Sequence, residues 1–356
     1  MNTLSPRTAM ATKPRRQSNL ELLRFLSMFF VLTLHYIPTR DIIAPLSKDS
    51  ALIDNLINIE LRSLAFVGVN CFILISGYFG IKWKLKSIGN LIYKILLWSL
   101  VSFLFAKLLT PVMYGREYLY TYGNPLSNIF VLRWFIGAYL CLYIISPLLN
   151  AFIEKSTKQE TLRYIIIFYI CSTFLGWILK SSEFNEGMSA LHLSGLYLVG
   201  AYLRKYHDRF TGFTAAKDLL IYFALGLLLL VVNLLCLQIN FTKSPFGYLN
   251  PIVIIQSVYL FLFFSKLKIN YSWLINLFAA SAFSVYLFHT DICSRPMWYD
   301  ICAQINQCGR FASLLLFPLF FIAIFIFCII VDAFGNRIYE KCTDCIARKK
   351  TVSAQQ

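Results

Sequence analysis

Long apolar runs separated by short polar segments make up the chain from residue 19 onward. A helix needs about 20 mainly apolar residues to cross the hydrocarbon core of a bilayer. Ten runs approach or reach that length, at 19–38, 61–81, 88–110, 128–150, 162–180, 189–203, 218–240, 249–265, 273–291 and 311–334. Because backbone hydrogen bonds must be satisfied inside the bilayer, the pattern predicts an all-α, polytopic membrane protein of about ten transmembrane helices.

The positively charged residues between the runs predict how the chain is oriented. Lys and Arg are retained preferentially on the cytoplasmic side of a membrane. With the N-terminus inside, the cytoplasmic segments, such as the one that holds Lys82 and Lys84, carry most of these residues. We therefore predict that both termini are cytoplasmic, with a flexible basic tail over 1–18, a membrane domain over 19–335 and a basic C-terminal tail over 336–356.

Composition and charge exclude several classes of protein. Hydrophobic residues make up 58% of the chain and charged residues 14%, whereas about a quarter of the residues in soluble proteins are charged. A net charge of +16 would suit a nucleic-acid partner only if the basic residues were clustered on a folded polar face. They lie between apolar runs instead, so no nucleic-acid partner is predicted. No Walker or GxGxxG sequence is present, which argues against a nucleotide-driven pump.

The cysteines do not indicate a metal site. Cys342 and Cys345 have the spacing of half a zinc site, but no second pair or nearby His completes it. Cys293, Cys302 and Cys308 share one predicted external loop. One disulfide among them and three free thiols are both compatible with the sequence.

Ionisable residues inside the apolar runs are costly in a bilayer, so each is a candidate for function. Arg24 and His35 in the first run are eleven positions apart, which corresponds to about 1100° of helical rotation and a rise of about 16 Å. The two side chains are therefore predicted on one helix face, near opposite sides of the membrane. The other ionisable residues in or at the ends of the runs are Lys94, Arg133, His192 and His289, with Glu21, Glu60, Arg62 and Asp291.

Several of these segments are similar to one known family. The first run, from Asn19 through Arg24 to His35, resembles the opening helix of the membrane-bound acyltransferase-3 family, whose signature is an Arg, ten residues and a His. The second run, FVGVNCFILISGY from Phe66, resembles the second helix of that family. Later segments that resemble the family are WFIGAY from Trp134, PLLN from Pro147 and FSVYLFH from Phe283. In this order they extend the resemblance over about residues 19 to 335.

The resemblance implies transfer of an acyl group, most often acetyl, from cytoplasmic acyl-CoA to a hydroxyl of a surface glycan or its lipid-linked precursor. It also implies a multi-pass protein of the bacterial inner membrane. The essential His of the family falls on His35 and its Arg on Arg24. Two departures are visible, because many members have an acidic residue at the position of Asn70, and a pair of arginines where this chain has Tyr93 and Lys94. Lysine keeps the charge but lacks the planar fork of arginine, which grips a phosphate in two bonds.

The predicted orientation separates the candidate residues into two groups. The group at the cytoplasmic side, expected to contact acetyl-CoA, is Arg24, Ser76, Lys82, Lys84 and Lys94. The group at the external side, expected to contact the glycan, is Arg62, Trp134, His289 and Asp291. His35 is predicted to be the general base, because an imidazole can accept a hydroxyl proton near neutral pH. Arg133 is a candidate for binding the oxyanion or the sugar.

Other mechanisms and functions remain compatible with the sequence. A covalent acyl-histidine at His35 would be an alternative to general-base catalysis. A transporter or flippase of a lipid-linked sugar would also contain helices interrupted by Gly and Pro and buried charges. No internal repeat is visible, which weakens the transporter interpretation. A glycan polymerase would be expected to have a larger external loop than the one predicted over about residues 39–60.

Overall fold

A computed structural model describes residues 16–37, 51–114, 133–206, 212–239 and 245–353. All regular structure in these residues is helical. The α-helices are α1 (Ser18–Tyr36), α2 (Ala51–Ala65), α3 (Gly68–Phe79), α4 (Leu85–Tyr114), α5 (Trp134–Lys155), α6 (Lys158–Ser172), α7 (Ala190–Lys205), α8 (Ala215–Gln238), α9 (Pro251–Lys266), α10 (Trp273–Ala280), α11 (Ala282–His289), α12 (Arg295–Gln307) and α13 (Arg310–Ser353). A π-helical turn, Thr173–Ile178, continues α6. The predicted N-terminal tail lies almost entirely outside the described residues.

Within the described part of the chain, six helical stretches are long and apolar enough to span a membrane. They are Leu56–Phe79, Leu85–Leu109, Trp134–Lys155, Lys158–Ile178, Ala215–Cys236 and Phe311–Asp344. Two shorter apolar stretches, Pro251–Lys266 and Trp273–His289, also coincide with predicted runs. The runs predicted at 19–38 and 189–203 form α1 and α7. The all-α membrane fold is thus present, while the number of ten spans and the orientation stay predictions.

The helix boundaries differ from the predicted ones at several positions, including the start of α2, which lies at Ala51 rather than near residue 61. The run 61–81 is divided by a turn at Phe66 and Val67, and the run 273–291 by a break at Ser281. The last helix does not end near residue 334 but continues to Ser353. Hydropathy alone does not show these features, because apolar side chains continue across each break and a charged segment can remain helical.

α3 and α7 pack with their backbones in close contact. A β-carbon added at Gly77 would lie 2.1 Å from the Tyr197 carbonyl oxygen, and one added at Gly200 would lie 2.2 Å from the Leu74 carbonyl oxygen. The two backbones therefore meet with no room for a side chain, as at interfaces of small residues between membrane helices. This contact fixes α3, which also packs against α1 and α9.

Hydrogen bonds from polar side chains link the ends of different helices. The Tyr197 hydroxyl accepts the Ile81 N–H at 2.8 Å and donates to Asn150 Oδ1 at 2.7 Å. The Asn150 amide donates to the Ile81 carbonyl at 3.0 Å. At the start of α1, the Asn19 amide donates to the carbonyl of Phe264 at the end of α9. These contacts satisfy backbone groups that the helix ends leave free.

The described cysteines, among them Cys293, Cys302 and Cys308, carry free thiols. No group of three metal-ligating side chains occurs among the described residues.

Candidate active site

A cavity of about 990 Å³ lies between the helices. Side chains of α1, α3, α5, α10, α11 and α12 are among those that line it. Its polar and aromatic lining includes Arg16, Arg24, His35, Arg62, Phe66, Ser76, Arg133, Trp134, Tyr139, Tyr248, Tyr286, His289, Thr290, Arg295 and Trp298. Five arginines and two histidines therefore line one cavity.

One face of α1 forms a wall of this cavity. Arg24, Met28, Val31 and His35 line it together, at spacings of four, three and four residues that follow the helical repeat. Arg24 lies toward the N-terminal end of α1 and His35 one residue before its C-terminal end. The shared face predicted from the spacing of Arg24 and His35 is thus present.

His35 is hydrogen-bonded to a second histidine. The distance between His35 Nδ1 and His289 Nε2 is 2.8 Å. The other nitrogen of His289, Nδ1, lies 2.6 Å from the carbonyl oxygen of Val285, one turn earlier in α11. The Trp298 indole donates to the His35 carbonyl at 3.3 Å, and its ring centroid lies 5.2 Å from that of His289.

This chain of hydrogen bonds determines where the protons lie on two neutral histidines. A carbonyl oxygen only accepts, so His289 Nδ1 must carry a proton, and its Nε2 is then an acceptor. His35 Nδ1 must therefore donate, which leaves the lone pair on His35 Nε2. His35 is held in the tautomer that can accept a proton at Nε2.

At the opposite end of the α1 wall, one carboxylate binds two arginines. Both oxygens of Glu21 lie 3.0 Å from Arg24 Nη1, and Arg16 lies 3.6 Å from the same carboxylate. The Glu21 side chain is only 5% exposed, whereas that of Arg24 is 26% exposed. Glu21 therefore holds the Arg24 side chain in place. Its single negative charge neutralises one of the two adjacent positive charges of Arg16 and Arg24.

Arg133 connects α5 to the end of α11. It immediately precedes α5 and donates to the Leu287 carbonyl at 2.5 Å and to Thr290 Oγ1 at 3.2 Å. It also forms an ion pair of 3.3 Å with Asp291. Because α11 ends at His289, Arg133 satisfies a carbonyl of the last helical turn and favours its negative dipole end. The helix end that carries His289 therefore also holds Arg133.

Comparison with known families agrees with this architecture. A family model described as an acyltransferase domain, that of the acyltransferase-3 family, matches residues 17–333. The chain belongs to the acyltransferase-3 family. It is therefore a membrane acyltransferase, and its family domain contains the whole α1 wall and the histidine pair. No curated protein and no solved structure matches the chain significantly.

The cavity of this acyltransferase brings together most, but not all, of the residues singled out in the sequence. Those that line it are Arg24, His35, Arg62, Ser76, Arg133, Trp134 and His289. Lys82 and Lys84 lie outside it, exposed in the segment between α3 and α4. Lys94 also lies outside the cavity, 3.9 Å from the buried carboxylate of Asp332. Asp291 does not line the cavity and forms an ion pair with Arg133 instead.

Two further candidate residues, Ser76 and His192, form hydrogen bonds inside the protein. The Ser76 hydroxyl donates to the Phe72 carbonyl in its own helix at 2.9 Å, so it faces the cavity mainly with its lone pairs. His192 is completely buried, with Nε2 3.2 Å from Asn70 Oδ1. His192 does not line the cavity and is paired with Asn70 inside the helix bundle.

Several lining residues were not selected from the sequence. Arg16 belongs to the predicted tail. Tyr248 precedes one apolar run, and Arg295 follows another. The spacing of Glu21 and Arg24, three residues apart on one helix, does signal an ion pair. The pairing of His35 with His289 has no sequence signal, because 254 positions separate the two residues.

Proposed function

We propose that this membrane acyltransferase moves an acetyl group from cytoplasmic acetyl-CoA to a hydroxyl of a cell-surface glycan or its lipid-linked precursor. The observation that carries the proposal is the α1 wall, which joins an arginine end to a histidine end within one cavity. The rise between Arg24 and His35, about 16 Å along the helix axis, suits a long, thin donor that enters from one side and reacts at the other.

The arginine end is assigned to the donor. Arg24 and Arg16 provide two guanidinium groups against one carboxylate, so one positive charge is left over for the phosphates of acyl-CoA. Guanidinium groups bind phosphates in two parallel hydrogen bonds. Ser76 and Tyr139 line the same cavity and offer polar contacts to the arm of the donor.

The histidine end of the cavity is assigned to the acyl-transfer reaction itself. His35 Nε2 accepts the proton of the glycan hydroxyl as its oxygen bonds to the thioester carbonyl carbon. The carbon–sulfur bond breaks, CoA leaves as the thiolate, and the proton on His35 passes to that sulfur. His289 keeps His35 in the required tautomer and accepts a hydrogen bond from the imidazolium that forms, as the buried acid of a catalytic triad does.

Arg133 is assigned to the negative charge that develops at the carbonyl oxygen or to the sugar. Three of its contacts are to Leu287, Thr290 and Asp291, whereas a guanidinium has five N–H donors. Donors therefore remain, and their position is fixed by the end of α11. Fixed donors contribute more to catalysis than mobile ones, because they do not reorganise during the reaction.

The decisive experiment supplies acetyl-labelled acetyl-CoA and the glycan fraction of the host to membranes that contain the protein. We expect label in a base-labile ester of the glycan with the unmodified protein and loss of that label in His35→Ala, by a factor on the order of 10² to 10⁴. Gly137→Ala is the matched control, because a β-carbon at Gly137 would meet no atom within 4 Å.

Normal glycan acetylation in His35→Ala at equal abundance would refute the role of His35. If neither acetyl-CoA nor another acyl-CoA is consumed by the unmodified protein, the proposed donor is wrong, and transport of a lipid-linked sugar becomes the better interpretation of the cavity.

A further inference from the structure

Aromatic rings and one arginine form a cluster in the cavity wall that the proposed chemistry does not use. The Phe66 and Tyr248 ring centroids lie 4.9 Å apart, and those of Trp134 and Tyr248 lie 5.6 Å apart. The Arg62 guanidinium carbon lies 4.9 Å from the Phe246 ring centroid and 6.0 Å from that of Phe66. We call these five residues the aromatic cluster; all of them except Phe246 line the cavity.

Arg62 lacks the acidic partner that three other arginines of the cavity have. Arg16 and Arg24 contact Glu21, and Arg133 contacts Asp291. Within the described part of the chain, no carboxylate lies within ion-pair distance of Arg62, and its Nε is buried without a hydrogen-bond acceptor. Stacking on aromatic rings stabilises the cation but provides no acceptor for the buried Nε–H.

The charge of the whole cavity points to an anionic ligand near the aromatic cluster. Five arginines line the cavity, and no Asp or Glu is among its described lining residues. A buried, unpaired charge is costly, and a ligand that carries an oxyanion offsets that cost. Such a ligand would also favour the positive charge that His35 acquires when it takes a proton.

We propose that the acceptor is an anionic glycan, whose carboxylate or phosphate binds Arg62 while a sugar ring packs against Trp134 and Tyr248. The apolar C–H face of a pyranose ring fits a flat aromatic surface, and the guanidinium fork fits either oxyanion in two bonds. This inference rests on the proposed function and adds the charge class of the acceptor. It assigns Arg62 to acceptor selection and leaves the donor to the arginine end of the α1 wall.

The test uses membranes with the full-length protein and the glycan fraction of the host in three forms. One form is untreated, the second has its carboxylates chemically reduced to alcohols, and the third has its phosphates removed. Each is combined with the unmodified protein, with Arg62→Gln, with Arg62→Lys and with the control Gly137→Ala. Acetyl incorporation and the KM values for glycan and for acetyl-CoA are measured separately.

We expect one of the two treatments to lower acetyl incorporation at least about tenfold with the unmodified protein, which identifies the anion as carboxylate or phosphate. Arg62→Gln should raise the KM for untreated glycan by a similar factor, leave the KM for acetyl-CoA unchanged, and make the enzyme insensitive to the same treatment. Arg62→Lys should lie between the two, since it retains the charge without the fork.

Three results overturn the inference. The first is an acceptor that is acetylated equally well after both treatments. The second is an Arg62→Gln variant that raises the KM for acetyl-CoA rather than the KM for glycan. The third is an Arg62→Gln variant of normal abundance whose KM for glycan is unchanged. Absence of label in untreated glycan with the unmodified protein would instead refute the proposed function itself. Abundance and thermal melting in detergent show whether each variant folds.

Discussion

The histidine pair is the residue-scale feature that most constrains the chemistry. His35 cannot present a lone pair at Nε2 unless its Nδ1 donates, and the only described acceptor for that bond is His289 Nε2. The Val285 carbonyl in turn fixes His289. A backbone atom of α11 therefore determines the protonation pattern of a residue on α1.

Replacing His289 should test this coupling. We expect His289→Ala to lower kcat on the order of 10²-fold or more, because His35 loses the acceptor that selects its tautomer. His289→Gln should retain more activity than His289→Ala, since the amide oxygen can accept the same bond. Acetyl transfer at saturating donor and acceptor, with KM values for both, measures the effect.

Equal kcat values for His289→Ala and the unmodified protein would exclude a tautomer-setting role. A defect in both KM and abundance with an unchanged kcat would indicate packing instead.

The sequence predicts the residue-scale arrangement only where a single helix determines it. The shared face of Arg24 and His35 follows from the helical repeat alone. The contacts of Lys94 with Asp332 and of Arg133 with Asp291 join residues far apart in the chain, and their pairing depends on how the helices pack. An isolated Lys near a predicted membrane surface gives no indication of that packing.

At the scale of elements, the contact between α3 and α7 holds the cavity wall in place. Gly200→Ala should destabilise the protein by about 1–3 kcal/mol, because the new methyl group would overlap the Leu74 carbonyl and force the helices apart. Thermal melting of detergent-solubilised protein, followed by size exclusion, measures the change.

Gly137→Ala in α5 is the matched control, since the same substitution meets no neighbour there and should stabilise the helix by about 0.5–1 kcal/mol. Equal melting temperatures for Gly200→Ala and Gly137→Ala would show that the close contact is not needed.

Hydropathy located the helical elements well and their ends less well. The described part of each predicted apolar run is mostly helical. The turn at Phe66 and Val67 and the break at Ser281 lie inside mainly apolar stretches, and a single serine does not distinguish a break from a continuous helix. Both features are determined by packing, and both shape walls of the cavity.

At the scale of the whole molecule, orientation decides whether the arginine end can meet a cytoplasmic donor. Cys308 and Cys342 are both exposed, one before and one after the apolar part of α13. In variants that retain only one of them, a membrane-impermeant maleimide should label Cys308 in intact spheroplasts and Cys342 only after permeabilisation.

A variant that retains only Cys71, which is fully buried, should resist the reagent in both conditions. The reverse pattern for Cys308 and Cys342 would place Arg24 outside and remove the proposed route for acetyl-CoA.

The continuous helix α13 has a practical consequence for visualising this enzyme. Its 44 residues correspond to about 66 Å, roughly twice the hydrocarbon thickness of about 30 Å. In the predicted orientation the surplus extends into the cytoplasm as a continuation of the same helix. A helical fusion partner joined in register after Ser353 would move with the bundle, and so would give a small membrane protein the mass and asymmetry that particle alignment in electron cryo-microscopy requires.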